Sequence, residues 1–536
     1  KYGKQMTHTP FDVPDWEMYS KLDEQTDRVY ALVEQAVNRS MLLKRLHSEG
    51  APSEGTGTSE PYEADIDLVT FERMGISGET QARIEGIKSD DSVLDWVKGN
   101  DMAPWMAGDT DVTPVTPRSA SREPGDKVRI VIGFGEHGRE IITTELGEHF
   151  IRLLSNATLE NLAPVFEGDE EMARKVVSAL DNSILHMIPC ENKGGRAVFE
   201  SGQYCERKNG RGVDINRNWP VHFGFKEPDY DPKEEYPGSE PLSEPESRIM
   251  FRILEATKPD AFISIHSGMH GMFVPPDHLP VLEDSIANLA EVKILGQLND
   301  DYIDSRSTIG AAGHAVGYVA HGTATDFYNK GFDIPSVQTW EIFGDEKAHY
   351  KDCFTMFNPK TTAEFDEYMR RWSAALLAYI SAMHEQMVPG INGADSEAFS
   401  QDVARMKTPK ACGLTQYHVD LMTELSQKAL TPADPAKEEQ ELPSGDGDAQ
   451  ETGDSMQQEE KRLPERASPL PDGQDIYKLI PSNDGSVLSQ MEHLYIAALV
   501  AIVLAMLYFL IIRPRRVKRA GRGAVNHRNT RVLGLV

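Results

Sequence analysis

Between residues 127 and 390 the chain alternates short apolar runs with longer amphipathic ones. The short runs are "VRIVIGF" (Val128–Phe134), "ILHMIP" (Ile184–Pro189), "AFISIH" (Ala261–His266) and "SVQTWEI" (Ser336–Ile342). They are brief and rich in β-branched residues, so they predict strands. Residues 141–155, 243–257, 281–298 and 361–386 place apolar side chains at helical spacing and predict helices. Strands alternating with helices predict an α/β fold, a sheet with helices on both faces.

The flanks read differently. Residues 1–60 predict a helical N-terminal segment, with "YALVEQAVNRSMLLKRL" (Tyr30–Leu46) at helical spacing, followed by a linker at 51–60. Residues 61–126 predict the N-terminal part of the main domain and end in a long loop rich in Pro, Thr, Ser and Asp. Residues 391–431 are a C-terminal extension. Residues 432–490 are acidic and almost free of large apolar groups, the composition of a disordered stalk.

A 19-residue run without charge, "LYIAALVAIVLAMLYFLII" (Leu494–Ile512), follows the stalk. At about 1.5 Å per residue a helix of that length spans the roughly 30 Å hydrocarbon layer, so a transmembrane helix is expected. Residues 513–536 carry eight Lys or Arg and no acid, which places the C-terminus in the cytoplasm by the positive-inside rule. A single-pass type I protein is expected, its main domain lumenal or extracellular and its signal segment already removed. The net charge of -30 argues against nucleic acid as a partner.

An oxidising compartment follows from that topology. Asn38-Arg-Ser and Asn156-Ala-Thr are glycosylation sequons compatible with it. The four cysteines, Cys190, Cys205, Cys353 and Cys412, allow three pairings, of which nearest neighbours are favoured.

Three predicted strands end in ionisable groups: the first at His137 and Glu140, the third at His266, the last at Glu341. Ligands of α/β folds sit at the carboxyl ends of strands. Two His and one Glu make a three-ligand zinc site with an open position, and a further Glu is a candidate base.

Five segments resemble the zinc metallocarboxypeptidases of the carboxypeptidase A/B type. "HGRE" (His137–Glu140) is similar to the first zinc segment of that family, and "GVDINRNW" (Gly212–Trp219) to its Asn-Arg-Asn-Trp segment. "ISIHSG" (Ile263–Gly268) resembles the third-ligand segment, "GYVAHGTATDF" (Gly317–Phe327) the mobile tyrosine loop, and "TWEIFGD" (Thr339–Asp345) the segment of the catalytic glutamate. They come in the order of the family and cover about 130 to 385. The resemblance implies a mixed sheet and one zinc ion per chain, held by His137, Glu140 and His266. It implies that Glu341 takes a proton from the attacking water and passes it to the leaving amine. Arg207 would polarise the scissile carbonyl, with Arg211 as competitor for that role. Asn216 and Arg217 would grip the terminal carboxylate, Tyr318 would close over it, and Arg139 would line an outer subsite. The substrate would be the C-terminus of a peptide or protein.

For the substrate's last side chain, the digestive basic-specific branch of the family has an Asp where this chain has Thr325. The regulatory branch carries its acid about where Asp277 stands, which favours C-terminal Lys or Arg. The chain departs from the family pattern in "ENKGGR" (Glu191–Arg196) and in the Trp of "TWEIFGD", and residues 1–126 match none of its segments. A zinc deacylase of the aspartoacylase type and a catalytically inactive or latent peptide-binding relative are the alternatives. The first has no need for Asn216, Arg217 and Tyr318 together, and the second typically lacks a ligand or the glutamate.

Overall fold

The computed structural model describes residues 12–387 except 53–60, 88–90, 108–113, 116–125, 228–229, 280–285, 317–318 and 350. Eight strands form one mixed sheet: β1 (Met41–Pro52), β2 (Pro61–Phe71), β3 (Val128–Phe134), β4 (Ser183–Ile188), β5 (Ala261–His266), β6 (Gly271–Val274), β7 (Thr308–Ala311) and β8 (Ser336–Glu341), in the order β1-β2-β4-β3-β5-β8-β6-β7. Strands β4, β3, β5 and β8 run parallel, while β1, β2 and the β6–β8 pairing are antiparallel. The central strands are buried on both faces, which is why they read as nearly continuous apolar runs.

Helices cover both faces, as expected. One face packs Phe150, Trp340, Trp372 and Tyr379 beneath helices Ile141–Ser155 and Thr362–Met387. The other packs Trp219, Phe251 and Phe327 beneath helices Pro245–Thr257 and Ala324–Gly331. The helix expected over 281–298 spans Ile286–Tyr302.

The N-terminal expectation needs correction. A helix covers Leu22–Gln35, but "MLLKRL" is strand β1. Asn38 and Arg39 adopt positive φ and break the helix. The next residues then pair with β2 along its length, and Arg45 lies opposite Asp67 with an Nε to Oδ1 distance of 2.9 Å. Tertiary pairing thus overrides helical periodicity. Strand β2 bonds in turn to β4, so residues 41–71 belong to the main sheet rather than to a separate module.

The cysteine pairing also differs from nearest neighbours. Cys205 is bonded to Cys353, with Cα atoms 5.1 Å apart, and Cys190 is free and buried. Cys412 lies outside the described residues, as do the 391–431 extension, the 432–490 stalk, the 494–512 run and the basic tail. Among the described residues no helix is long and apolar enough to cross a membrane.

Because β3, β5 and β8 are parallel neighbours, their carboxyl ends emerge side by side. His266 and Glu341 are register partners, and Phe134 pairs with Ile265.

Candidate metal centre

The hexamer "GEHGRE" leaves β3 through Gly135 at φ +68, where a Cβ would lie 2.5 Å from Thr144 Cγ2. A Cβ on Gly138 would strike the Gly195 backbone at 2.6 Å. The two glycines therefore let this turn pack tightly under the cleft. Glu140 precedes helix Ile141–Ser155, but its side chain caps nothing. It points instead at the two histidines.

His137 Nδ1 is 2.8 Å from Glu140 Oε1, His266 Nδ1 is 3.1 Å from Glu140 Oε2, and the two Nδ1 atoms are 3.1 Å apart. All three residues are buried. Tetrahedral zinc with ligands at about 2.0–2.1 Å would space them roughly 3.3 Å apart, so the donor set fits this ion in type and in spacing. Glu136 also lies close enough to join His137 and His266 as a ligand. Its Oε2, however, is 2.9 Å from Nε2 of His266, on the side of the ring opposite the Nδ1 pair. The geometry therefore favours Glu140 as the third ligand.

Electrostatics agree with a cation site. Burial works against the charge on Glu140, but the two imidazoles hold its carboxyl well below its ordinary value. Burial likewise opposes a charge on His266, yet Glu136 and Glu140 push its pKa well up. A field that holds a proton there also suits a divalent cation.

Glu341, at the end of β8, faces the same cleft as His137 and His266. Its Oε2 is shielded from solvent and has no hydrogen-bond partner. Burial, and then the Glu140 charge, push its pKa up to about 7. A half-buried carboxylate with one shielded, open oxygen is poised for proton transfer.

Arg207, Asn216, Arg217 and Asp277 line this cleft too. Arg207 Nη1 is 3.2 Å from His137 Nδ1, and its Nε donates to Asp214 Oδ2 at 2.8 Å. Arg211 turns away, 3.5 Å from Glu244 Oε1, which removes it as a competitor for the place beside the cluster. Arg217 donates to Glu235 Oε1 at 3.0 Å. Asn216 Oδ1 accepts from Ala324 N at 2.9 Å, so this side chain also secures a helix start.

Asp277 is buried, and the Thr325 hydroxyl donates to its Oδ2. The two positions at which the sequence places a selector acid thus touch in space. Burial, then the neighbouring Asp326, push Asp277 up to about 7.

Arg139 is fixed by three contacts. Its guanidinium donates to Glu234 Oε2 at 2.7 Å and to the Cys205 carbonyl, and lies 4.3 Å over the Phe357 ring. It does not line the cleft. Tyr318 lies outside the described residues.

The sequence reading missed Asp214. Fully buried, it sits with Oδ1 3.3 Å from His137 Nε2, within ion-pair range but off the line of a hydrogen bond, while its Oδ2 binds Arg207. Burial alone would raise its carboxyl, but Arg207, His137 and Arg217 hold it well below its ordinary value. The one available signal was an Asp two residues ahead of Asn216, in a segment already singled out.

The fold and site together define an α/β protein with a buried His-His-Glu cluster, a candidate metal centre, at the carboxyl edge of a mixed sheet. Residues 108–371 match the family model of the zinc carboxypeptidases, and that span contains every residue of the cluster. No curated protein matches the sequence. Among solved structures, the chain is similar to thrombin-activatable fibrinolysis inhibitor (17% identity, 70% of this chain, 76% of that chain, TM-score 0.46). It is also similar to carboxypeptidase A from Helicoverpa armigera (16%, 68%, 73%, TM-score 0.45). A third likeness is to bovine thrombin-activatable fibrinolysis inhibitor in complex with tick carboxypeptidase inhibitor (15%, 69%, 99%, TM-score 0.44).

Proposed function

We propose that this protein is a zinc-dependent carboxypeptidase that releases Lys or Arg from the C-termini of peptides or proteins. One observation carries the reading: the two histidines bridged by Glu140, an unpartnered Glu341 oxygen and two arginines meet at one cleft, which His137, His266, Glu341, Arg207 and Arg217 line.

His137, Glu140 and His266 would hold the ion. Zinc there supplies Lewis acidity, polarising a carbonyl and acidifying water. Glu341 takes a proton from the attacking water and hands it to the departing amine. Arg207, anchored by Asp214, stabilises the oxyanion that develops on the scissile carbonyl. Arg217 and Asn216 receive the terminal carboxylate, and a guanidinium suits that planar anion. In the pocket, Asp277 faces the last side chain, where a substrate ammonium or guanidinium would restore its charge.

A membrane anchor at 494–512, with the catalytic domain outside the cytoplasm, completes the proposal. The apolar run, the basic tail and the Cys205–Cys353 disulfide support it.

The test is release of the last residue from matched peptides ending in Arg, Lys, Leu or Phe, by wild type and Asp277→Asn. Preference for Arg and Lys, reduced at least tenfold in Asp277→Asn, is expected. A further fall in that preference below pH 7 is expected as well, because a protonated Asp277 carries no charge. Preference for Leu or Phe by wild type would refute the selector.

A further inference from the structure

The hexamer that supplies His137 and Glu140 supplies a third group. We propose that Glu136 is the positioning residue for His266: its carboxylate holds Nε2 from behind and so leaves Nδ1 free to bind zinc. This rests on the zinc reading above and adds a residue to it.

The physical case begins with direction. The two nitrogens of an imidazole face opposite ways, and a neutral ring carries one proton. Nδ1 of His266 faces His137 Nδ1 and Glu140, at 3.1 Å each. Nε2 faces Glu136 Oε2 at 2.9 Å and Ser264 Oγ at 2.8 Å. With its hydrogen on Nε2, this nitrogen serves Ser264 Oγ and stays within ion-pair range of the Glu136 carboxylate. Ser264 Oγ then donates to Glu136 Oε2, 3.3 Å away. With the proton fixed on Nε2, the lone pair of Nδ1 points into the ligand cluster. Metal-bound histidines are commonly oriented by such an acceptor.

Glu136 is itself held in place. It is buried, and its carbonyl accepts from Asn192 Nδ2 at 3.0 Å. Asn192 belongs to "ENKGGR", the turn where this chain departs from the family pattern, so that turn braces the hexamer from below. Burying a carboxylate is costly without a partner, and His266 is the partner the geometry provides. The arrangement mirrors His137, whose Nε2 faces Asp214. Each histidine thus has an acid behind it and the shared Glu140 in front.

The experiment measures zinc affinity of the full chain by chelator competition, for wild type, Glu136→Gln, Glu136→Ala and Glu140→Ala. Far-UV circular dichroism and the melting temperature of the metal-free forms serve as controls for folding. Wild type should bind one zinc. Glu136→Ala should still bind one, about 10- to 100-fold more weakly. Glu136→Gln keeps one acceptor and the shape, so it should fall between the two. The visible spectrum of the cobalt-substituted form should keep its intensity in both Glu136 variants, because the ligand number is unchanged, and should change in Glu140→Ala. Equal zinc affinity in wild type and both Glu136 variants would overturn the positioning role. Loss of binding, or a cobalt spectrum altered as in Glu140→Ala, would make Glu136 a ligand and overturn it too. A wild-type chain that binds no zinc would overturn the zinc reading and this inference with it.

Discussion

Asp214→Asn is the most informative single change beyond the ligands. Asp214 is fully buried and does three tasks, anchoring Arg207 at 2.8 Å, backing His137 at 3.3 Å and accepting from Asn216 N at 3.0 Å. The amide keeps the shape but removes the charge and one acceptor. Whichever way it turns, an NH2 meets either Arg207 Nε or His137. Loss of a hydrogen bond to a charged group costs about 1.5–3 kcal/mol. For the metal, loss of such a partner weakens binding about 10- to 100-fold, or about 1.4–2.7 kcal/mol. For the reaction, displacing the oxyanion donor Arg207 should lower kcat/KM by about 10²- to 10³-fold even at saturating zinc. Asp214 N donates to the Tyr236 carbonyl through the backbone, so the turn keeps that tie in the variant. The assay pairs chelator competition with kcat/KM on a peptide ending in Arg, at zinc well above the measured Kd. Wild-type zinc affinity together with wild-type kcat/KM in a folded Asp214→Asn protein would refute the reasoning.

Other predictions concern stability and location. Glu246 is buried against Glu244, which after burial itself pushes its carboxyl up to about 7 from an ordinary 4.5. The unfolded chain releases this proton near 4.5 and the folded one near 7, so stability falls as pH rises between them, by roughly 3 kcal/mol at most. Denaturation midpoints at pH 5 and 7.5 should differ less in Glu246→Gln than in wild type; an identical difference would exclude Glu246 as the source. The Cys205–Cys353 bond closes a loop with a sequence separation of 148, worth up to about 5 kcal/mol by chain entropy. Replacing both cysteines by Ala should lower the melting temperature, and an unchanged melt would show that the crosslink does not limit stability. Deleting residues 494–536 should move the protein from the carbonate-resistant membrane fraction to the soluble one. A full-length chain already soluble in carbonate would contradict the anchor.

What the sequence revealed depended on how local each signal was. Helix Ile141–Ser155 was legible from its helical spacing, and the central strands because burial on both faces leaves a nearly continuous apolar run. Strands β6 and β7 are only four residues long, too short for any period to show. Strand β1 mimicked a helix because "LVEQAVNRSMLLKRL" keeps helical spacing across a break made by two left-handed residues. The candidate ligand cluster was legible because His137 and Glu140 are three apart and His266 ends a strand. Glu136 and Asp214 were not, since their roles exist only through contacts across 130 and 77 positions, from Glu136 to His266 and from His137 to Asp214. The disulfide partner of Cys205 was hidden for the same reason. Arg139 was assigned by motif to an outer subsite, and Glu234 and Phe357 hold its guanidinium.

The most direct measurement compares wild type and Glu341→Gln, each loaded with one zinc, in release of Arg from the C-terminus of a peptide. Wild type should cleave, lose activity to a chelator and regain it with zinc. Glu341→Gln should retain the ion while kcat falls by at least about 10²-fold, the scale of a lost general base. Cleavage by the zinc-loaded variant at the wild-type rate, or by wild type stripped of metal, would contradict the proposed chemistry.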